Sequence, residues 1–92
     1  MIVRIAGEGQ YTLPDEDAER LNQLDNDAVA AVEAEDRAKF AELWSQMLEL
    51  VKTDGTEVDG EDLDASDVIL PPRDITFEEA QAEFTGEGLI PD

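Results

Sequence analysis

The sequence contains no cysteine and no histidine. Without cysteine there is no disulfide, no thiolate nucleophile and no cysteine-ligated zinc, which fits a reducing compartment. Without histidine the chain lacks the commonest general base and metal ligand of proteins. No apolar run reaches the ~20 residues that span a bilayer, and the first residues do not read as a signal peptide. We therefore expect a cytoplasmic protein that does not insert into a membrane.

Basic residues are also scarce, with 6 against 25 acidic residues and a formal net charge of -19. No stretch of the sequence provides the basic stripe that nucleic acid or an anionic membrane surface requires. Two interpretations of the acidity stay open. The favoured one is the solvated surface of a halophile's protein, because the acids are spread along the chain, and the other is a surface for a basic partner.

Aromatic residues are few, and the only Trp lies with one of the three Phe residues in the stretch 36–53. This stretch predicts a central amphipathic helix, with Asp36 capping its start and Gly55 offering a left-handed stop. Trp44 should be buried where the structural layers meet. The predicted apolar face comprises Ala38, Phe40, Ala41, Leu43, Trp44, Met47, Leu48, Leu50 and Val51.

The chain opens with alternating β-branched residues, and the pattern resumes after Gly7-Glu8-Gly9. This predicts a β-hairpin over 1–13 in which Tyr11 and Leu13 face the core. A nucleotide-binding loop is disfavoured because no further glycine, lysine or hydroxyl residue follows at the required spacing.

A second amphipathic helix is predicted from Pro14 to Ala34, with acidic residues in its first turn and a weak patch at 25–27 where it could break. Its apolar positions are Leu21, Leu24, Ala28, Val29 and Val32. Only Ala34-Glu35-Asp36 separates the two helices, so we expect an antiparallel helical hairpin.

From 54 to 67 the sequence is acidic in seven of fourteen positions and has no basic residue. We interpret this stretch as a solvated connecting loop. A calcium-binding loop is disfavoured, because no register supplies the required carboxylates together with a glycine at position six and a glutamate at position twelve.

The segment Ser66-Asp67-Val68-Ile69-Leu70-Pro71-Pro72 follows. Val68 to Leu70 predict a short buried edge strand beside the N-terminal hairpin, ended by prolines that lack an N–H donor. The alternative is an exposed docking ridge for a partner, because prolines hold an extended shape at low entropic cost. The candidate docking residues, hereafter the docking ridge, are Asp67, Ile69, Leu70, Pro71, Pro72 and Arg73.

Thr76 and Glu79 form a capping-box pattern that predicts a last helix from Phe77 to about Thr85, with Ile75 stapled onto its first turn. Phe77, Ala80 and Phe84 share a face, Gly86 or Gly88 ends the helix, and Leu89-Ile90-Pro91 is expected to dock back. Taken together, we expect one α+β domain over 1–92. It consists of a β-hairpin and a short third strand packed on a helical hairpin and a C-terminal helix.

The order of these motifs resembles the PspAA family, small proteins associated with phage shock protein A. The resemblance covers nearly the whole chain, and its most specific parts are SDVILPP at 66–72 and GLIP at 88–91. It implies a partner of the PspA type, an ESCRT-III-like coiled coil that remodels or protects the cytoplasmic membrane under envelope stress. It implies no catalytic residue, and we expect neither a cofactor nor a metal.

Two classes of function remain for this sequence. The favoured class is a non-enzymatic adaptor that binds a PspA-like coiled coil through an apolar surface edged by carboxylates. The other is an enzyme or a small-molecule sensor, in which carboxylates such as Asp62 and Asp64 would perform acid–base chemistry. A charge-dense loop, however, offers neither desolvation nor fixed spacing. A structural homo-oligomer stays open as a further alternative.

Overall fold

The structure is a computed structural model that describes residues 1–58 and 67–84. It confirms the α+β class. The strands are β1 (Ile2–Ile5), β2 (Gly9–Thr12), β3 (Thr56–Val58) and β4 (Val68–Leu70), and the helices are α1 (Asp15–Glu33), α2 (Arg37–Asp54) and α3 (Phe77–Glu83).

The N-terminal hairpin is confirmed and forms the centre of a sheet with strand order β3-β2-β1-β4. Gly7 and Gly9 have φ values of 81° and 132°, the left-handed region that favours glycine, so the turn depends on both. β4 adds to β1 in parallel, as an edge strand. The register aligns Val3 with Tyr11 and with Val68, which places these side chains on one face of the sheet, toward the core.

The helical hairpin is also confirmed. α1 runs without a break through 25–27, and Asp25 in this patch is fully buried. The turn between the helices has Glu35 at φ 56°, and the N–H groups of Glu35 and Asp36 donate to carbonyls in the last turns of α1. These bonds satisfy helix-end carbonyls that otherwise have no partner. The carboxylate of Asp36 then caps α2 by accepting from the N–H of Lys39 at 3.1 Å.

Two predictions about the end of α2 were wrong. Gly55 is extended, with φ -82° and ψ 156°, instead of left-handed. A Cβ at this position would clash with the carbonyl oxygen of Val51, so close approach explains the glycine. The chain turns directly into β3, which pairs antiparallel with β2, so the start of the predicted acidic loop is a strand.

The core lies between the helices and one face of the sheet. Tyr11, Leu13 and Trp44 are buried as predicted. The buried face of α2 is narrower than predicted, because Ala38 and Ala41 are exposed and Leu50 is half-buried. The buried residues of α2 are Phe40, Leu43, Trp44, Met47, Leu48 and Val51.

α3 begins with the predicted capping box. The Thr76 hydroxyl accepts from the N–H of Glu79 at 3.2 Å, and the Glu79 carboxylate accepts from the N–H of Thr76 at 3.2 Å. Ala80 and Phe84 are fully buried, whereas Phe77 is half-buried. α3 ends at Glu83 with Phe84 as its C-cap, two residues before the predicted end at about Thr85. The tested calcium loop, the carboxylates considered for acid–base chemistry, the two glycines proposed to end the helix and the docking of its tail concern residues outside those described.

Candidate partner-docking surface

β4 is held to β1 by hydrogen bonds at both of its ends. The N–H of Asp67 donates to the carbonyl of Ile2 at 2.8 Å, and the Asp67 carboxylate accepts from the N–H of Ile2 at 2.8 Å. At the other end the N–H of Ala6 donates to the carbonyl of Leu70 at 3.0 Å. The segment that carries the docking ridge is therefore fixed before the prolines begin.

The residues of the docking ridge divide by exposure. Leu70 is fully buried and anchors β4 in the core. Ile69 points to the opposite face of the sheet beside Arg4, and at 62% exposure it is the one exposed large hydrophobic side chain among the described residues. Pro71 is half-buried. Three further ridge residues are exposed, namely Asp67, Pro72 and Arg73.

Arg73 is tied to the body of the protein by its backbone and its side chain. Its carbonyl accepts from the indole Nε1–H of Trp44 at 3.3 Å. Its guanidinium donates two bonds of 3.2 Å to the two carboxylate oxygens of Glu8 in the hairpin turn. The ammonium of Lys52 on α2 lies 2.6 Å from the same carboxylate. Hydrogen bonds from Arg73 and Lys52 lower the pKa of Glu8. Through these bonds the Glu8 carboxylate joins the hairpin turn, α2 and the segment after β4.

An apolar groove, hereafter the α2 groove, lies beside the docking ridge and has a volume of about 340 Å³. Its first wall is a stripe of α2, and its second wall is the segment leading into α3. Arg73 belongs to the second wall and also to the docking ridge. The α2 wall consists of Arg37, Phe40, Ala41, Trp44, Ser45 and Leu48. The second wall consists of Arg73, Ile75 and Phe77.

Edge-to-face aromatic contacts fix the floor of the α2 groove. The ring of Phe40 lies 5.1 Å from that of Phe84 and 6.0 Å from that of Phe77, and Trp44 lies 5.8 Å from Phe84. Such pairs add to the stabilisation from burial by roughly 0.5–1.5 kcal/mol each. The groove is therefore built on packed rings.

Arg37 closes one end of the α2 groove. Its guanidinium carbon lies 4.6 Å from the ring centroid of Phe77, within the range of a cation–π contact. Its Nη2 donates to the Glu78 carboxylate at 2.8 Å, and this bond lowers the pKa of Glu78. Both groups are well exposed, so the ion pair itself contributes little stability.

A contact between like charges lies at the other end of the helical hairpin, where Asp17 in the first turn of α1 meets Asp54 at the end of α2. The pKa of Asp17 is raised, chiefly by desolvation and to a smaller extent by its hydrogen bond with the Asp54 carboxylate and the repulsion between the two.

Across 1–58 and 67–84 no group of three or more potential ligand residues is placed to hold a metal ion.

The sequence interpretation missed both Glu8 and the α2 groove. The predicted apolar face of 36–53 was wider than one core covers. This excess width, at positions such as Ala41, is the sequence signal that could have indicated the groove. Nothing in the sequence indicated that Glu8 would meet Arg73, because 65 residues separate them.

A search of the helices in the described part of the chain finds none that is both long and apolar enough to cross a membrane. Comparisons with curated proteins and with solved structures find no significant match. The comparison with family models finds a match over residues 1–92 to PspAA, described as PspA-associated protein. A match over the whole chain shows the family, and this chain belongs to the PspA-associated protein family, as its motifs predicted.

Proposed function

We propose that this chain is a non-enzymatic, cytoplasmic adaptor that binds a PspA-type coiled-coil protein in the response to membrane stress. The observation that carries the proposal is the family match over residues 1–92, whose description names association with PspA. The geometry supports it with exposed side chains on a backbone segment that hydrogen bonds hold in place.

The docking ridge supports this proposal through the contrast between a fixed backbone and exposed side chains. Asp67 and Leu70 hold β4 on β1, whereas Ile69 and Pro72 are exposed. A rigid segment loses little conformational freedom on binding, which favours affinity. We propose Ile69, Pro72 and Arg73 as the contacting part of the ridge, with Leu70 and Pro71 as its support.

The test is copurification of the tagged chain with the PspA of the same cell, at both low and molar salt. The expected result is a complex of fixed stoichiometry whose stability differs between the two salt conditions, because charged groups rim the surface. A chain that stays free of PspA in both conditions would contradict the adaptor function. A bound metabolite in the purified protein would instead favour a sensor or an enzyme.

A further inference from the structure

The α2 groove runs along the helix axis. Its lining positions on α2 are 37, 40, 41, 44, 45 and 48, which recur at steps of three and four and form one continuous stripe. The twelve residues from 37 to 48 rise by about 16 Å along the axis, or three turns. A stripe of this length accommodates anchors one and two turns apart, the spacing by which a helix laid in a groove is recognised.

Small side chains line the open side of this stripe. Ala41 and Ser45 are exposed and lie one turn apart on α2, above the buried rings of Phe40 and Trp44. Helix axes approach within about 8–10 Å, and the side chains at the contact set the distance. The opposite wall offers the half-buried side chains of Ile75 and Phe77. An incoming helix would therefore find apolar surface on both sides.

The charged side chains that line the α2 groove are basic in a protein that is acidic as a whole, and each pairs with a carboxylate outside the lining. Two of the 6 basic residues in a chain of net charge -19 line it, Arg37 and Arg73. Their bonds to Glu78 and Glu8 use one N–H donor of Arg37 and two of Arg73. A guanidinium has five such donors, so both side chains retain capacity for a further carboxylate.

The spacing of the two guanidinium groups sets the spacing of their partners. Arg37 is the first residue of α2, and Arg73 shares Glu8 with Lys52, near the other end of this helix. The two guanidinium groups therefore lie toward opposite ends of α2, and a helix that meets both must carry carboxylates on different turns.

From this complementarity we propose that the α2 groove binds one α-helix of the PspA-type partner, whose apolar stripe is flanked by carboxylates that meet Arg37 and Arg73. The inference rests on the proposed function and names the element that is recognised. The acidic residues of the partner fix its register, and its apolar residues fill the space between the two walls.

The first test compares two identical substitutions on α2. Ala41→Glu places a carboxylate inside the α2 groove, and Ala38→Glu adds the same charge at an exposed alanine outside it. Calorimetric titration with purified PspA should show a loss of affinity of about tenfold or more for Ala41→Glu and about threefold or less for Ala38→Glu. Ser45→Glu is the second groove variant, used if Ala41→Glu does not fold as judged by circular dichroism.

The second test concerns charge. Arg37→Glu should weaken binding about tenfold, whereas Lys39→Glu, an equal change of charge two residues away on α2, should leave it within about threefold. Stronger binding by Arg37→Glu would overturn the assignment of carboxylates to the partner. Equal effects of Arg37→Glu and Lys39→Glu would overturn it too, because they would reflect net charge alone.

Crosslinking identifies the occupant directly. The sequence has no cysteine, so Ser45→Cys and Glu42→Cys each provide one site for a photoreactive maleimide. Ser45→Cys should crosslink to a PspA helix with an apolar stripe and acidic flanks, and Glu42→Cys should give little product. Equal crosslinking from both sites, or crosslinking to a second copy of this chain, would overturn the proposal.

Failures of the two proposals are distinguishable. If the unaltered chain binds PspA and the groove variants bind it equally well, the groove is excluded while the adaptor function stands. If the unaltered chain does not bind PspA, both proposals are overturned.

Discussion

The indole N–H of Trp44 donates a hydrogen bond of 3.3 Å to the carbonyl oxygen of Arg73. Trp44 is only 5% exposed, and its ring also packs against Phe84 beyond α3. One buried side chain of α2 therefore positions both the segment after β4 and the end of the last helix. The docking ridge and the α2 groove meet at Arg73, so their relative placement depends on this contact.

The first prediction is that Trp44→Ala lowers the free energy of unfolding by ~3–5 kcal/mol, because it removes a large buried side chain together with its hydrogen bond. Urea denaturation followed by circular dichroism measures the change. Trp44→Phe retains most of the apolar volume and should cost clearly less. If Trp44→Ala and the unaltered chain unfold at the same concentration of urea, Trp44 is not central to the stability of the fold.

The second prediction concerns pH and Glu8. Because Arg73 and Lys52 lower the pKa of Glu8 in the folded state, the unfolded chain binds the proton more tightly. The contribution to stability is therefore present above the ordinary pKa of 4.5 and is lost as the pH falls through the lower, folded value. Glu8→Gln should cost about 1 kcal/mol at pH 7, since the partners are half-exposed, and the difference should shrink below pH 4.5.

The control for Glu8 is Glu42→Gln, which removes the same charge from an exposed position of α2. Its free energy of unfolding at pH 7 should stay within about 0.5 kcal/mol of that of the unaltered chain. A constant difference between Glu8→Gln and the unaltered chain from pH 7 to pH 3 would show that the carboxylate charge is not the cause.

The third prediction concerns the contact between like charges at Asp17 and Asp54. A raised pKa in the folded state means that the ionised form of Asp17 destabilises the fold at neutral pH, and protonation relieves this as the pH falls through the raised value. A negative charge at the end of α2 is also unfavourable to the helix dipole. Asp54→Asn should therefore raise the melting temperature at pH 7. The increase should disappear in acid, and an unchanged melting temperature at pH 7 would contradict the assigned repulsion.

The fourth prediction concerns salt. A net charge of -19 on 92 residues favours self-repulsion, and at 1 M salt the screening length falls to about 3 Å. The melting temperature should rise steeply between low and molar salt, with sodium and potassium chloride giving similar curves. A flat profile would argue against halophilic adaptation and return weight to a basic partner as the reason for the acidity.

The elements that the sequence predicted well are those with a strong local signal. The stretch around Trp44 showed helical periodicity and a cap at Asp36, and the hairpin showed two glycines at the turn, so local chemistry determined both. The capping box at Thr76 likewise depends on residues three positions apart. None of these predictions required knowledge of what packs against the element.

The missed features depend on contacts between distant parts of the chain. β3 has only three residues, too few to show a strand pattern within an acidic stretch, and it forms because β2 offers it a free edge. Gly55 is required by the approach of the Val51 carbonyl, which only the three-dimensional path of the chain creates. The exposed position of Ile69 follows from which face of β4 the helices cover. Composition alone does not specify that face.

The adaptor account is tested most directly by calorimetric titration of purified PspA with the double variant Pro71→Ser, Pro72→Ser, and with Pro14→Ser as the control at an exposed proline outside the docking ridge. We predict saturable binding by the unaltered chain and by Pro14→Ser. The double variant should bind about tenfold more weakly, while its free energy of unfolding stays within about 1 kcal/mol. If the double variant binds as tightly as the unaltered chain, or if it unfolds, the role of the docking ridge is contradicted. If the unaltered chain does not bind PspA, the adaptor function itself is contradicted.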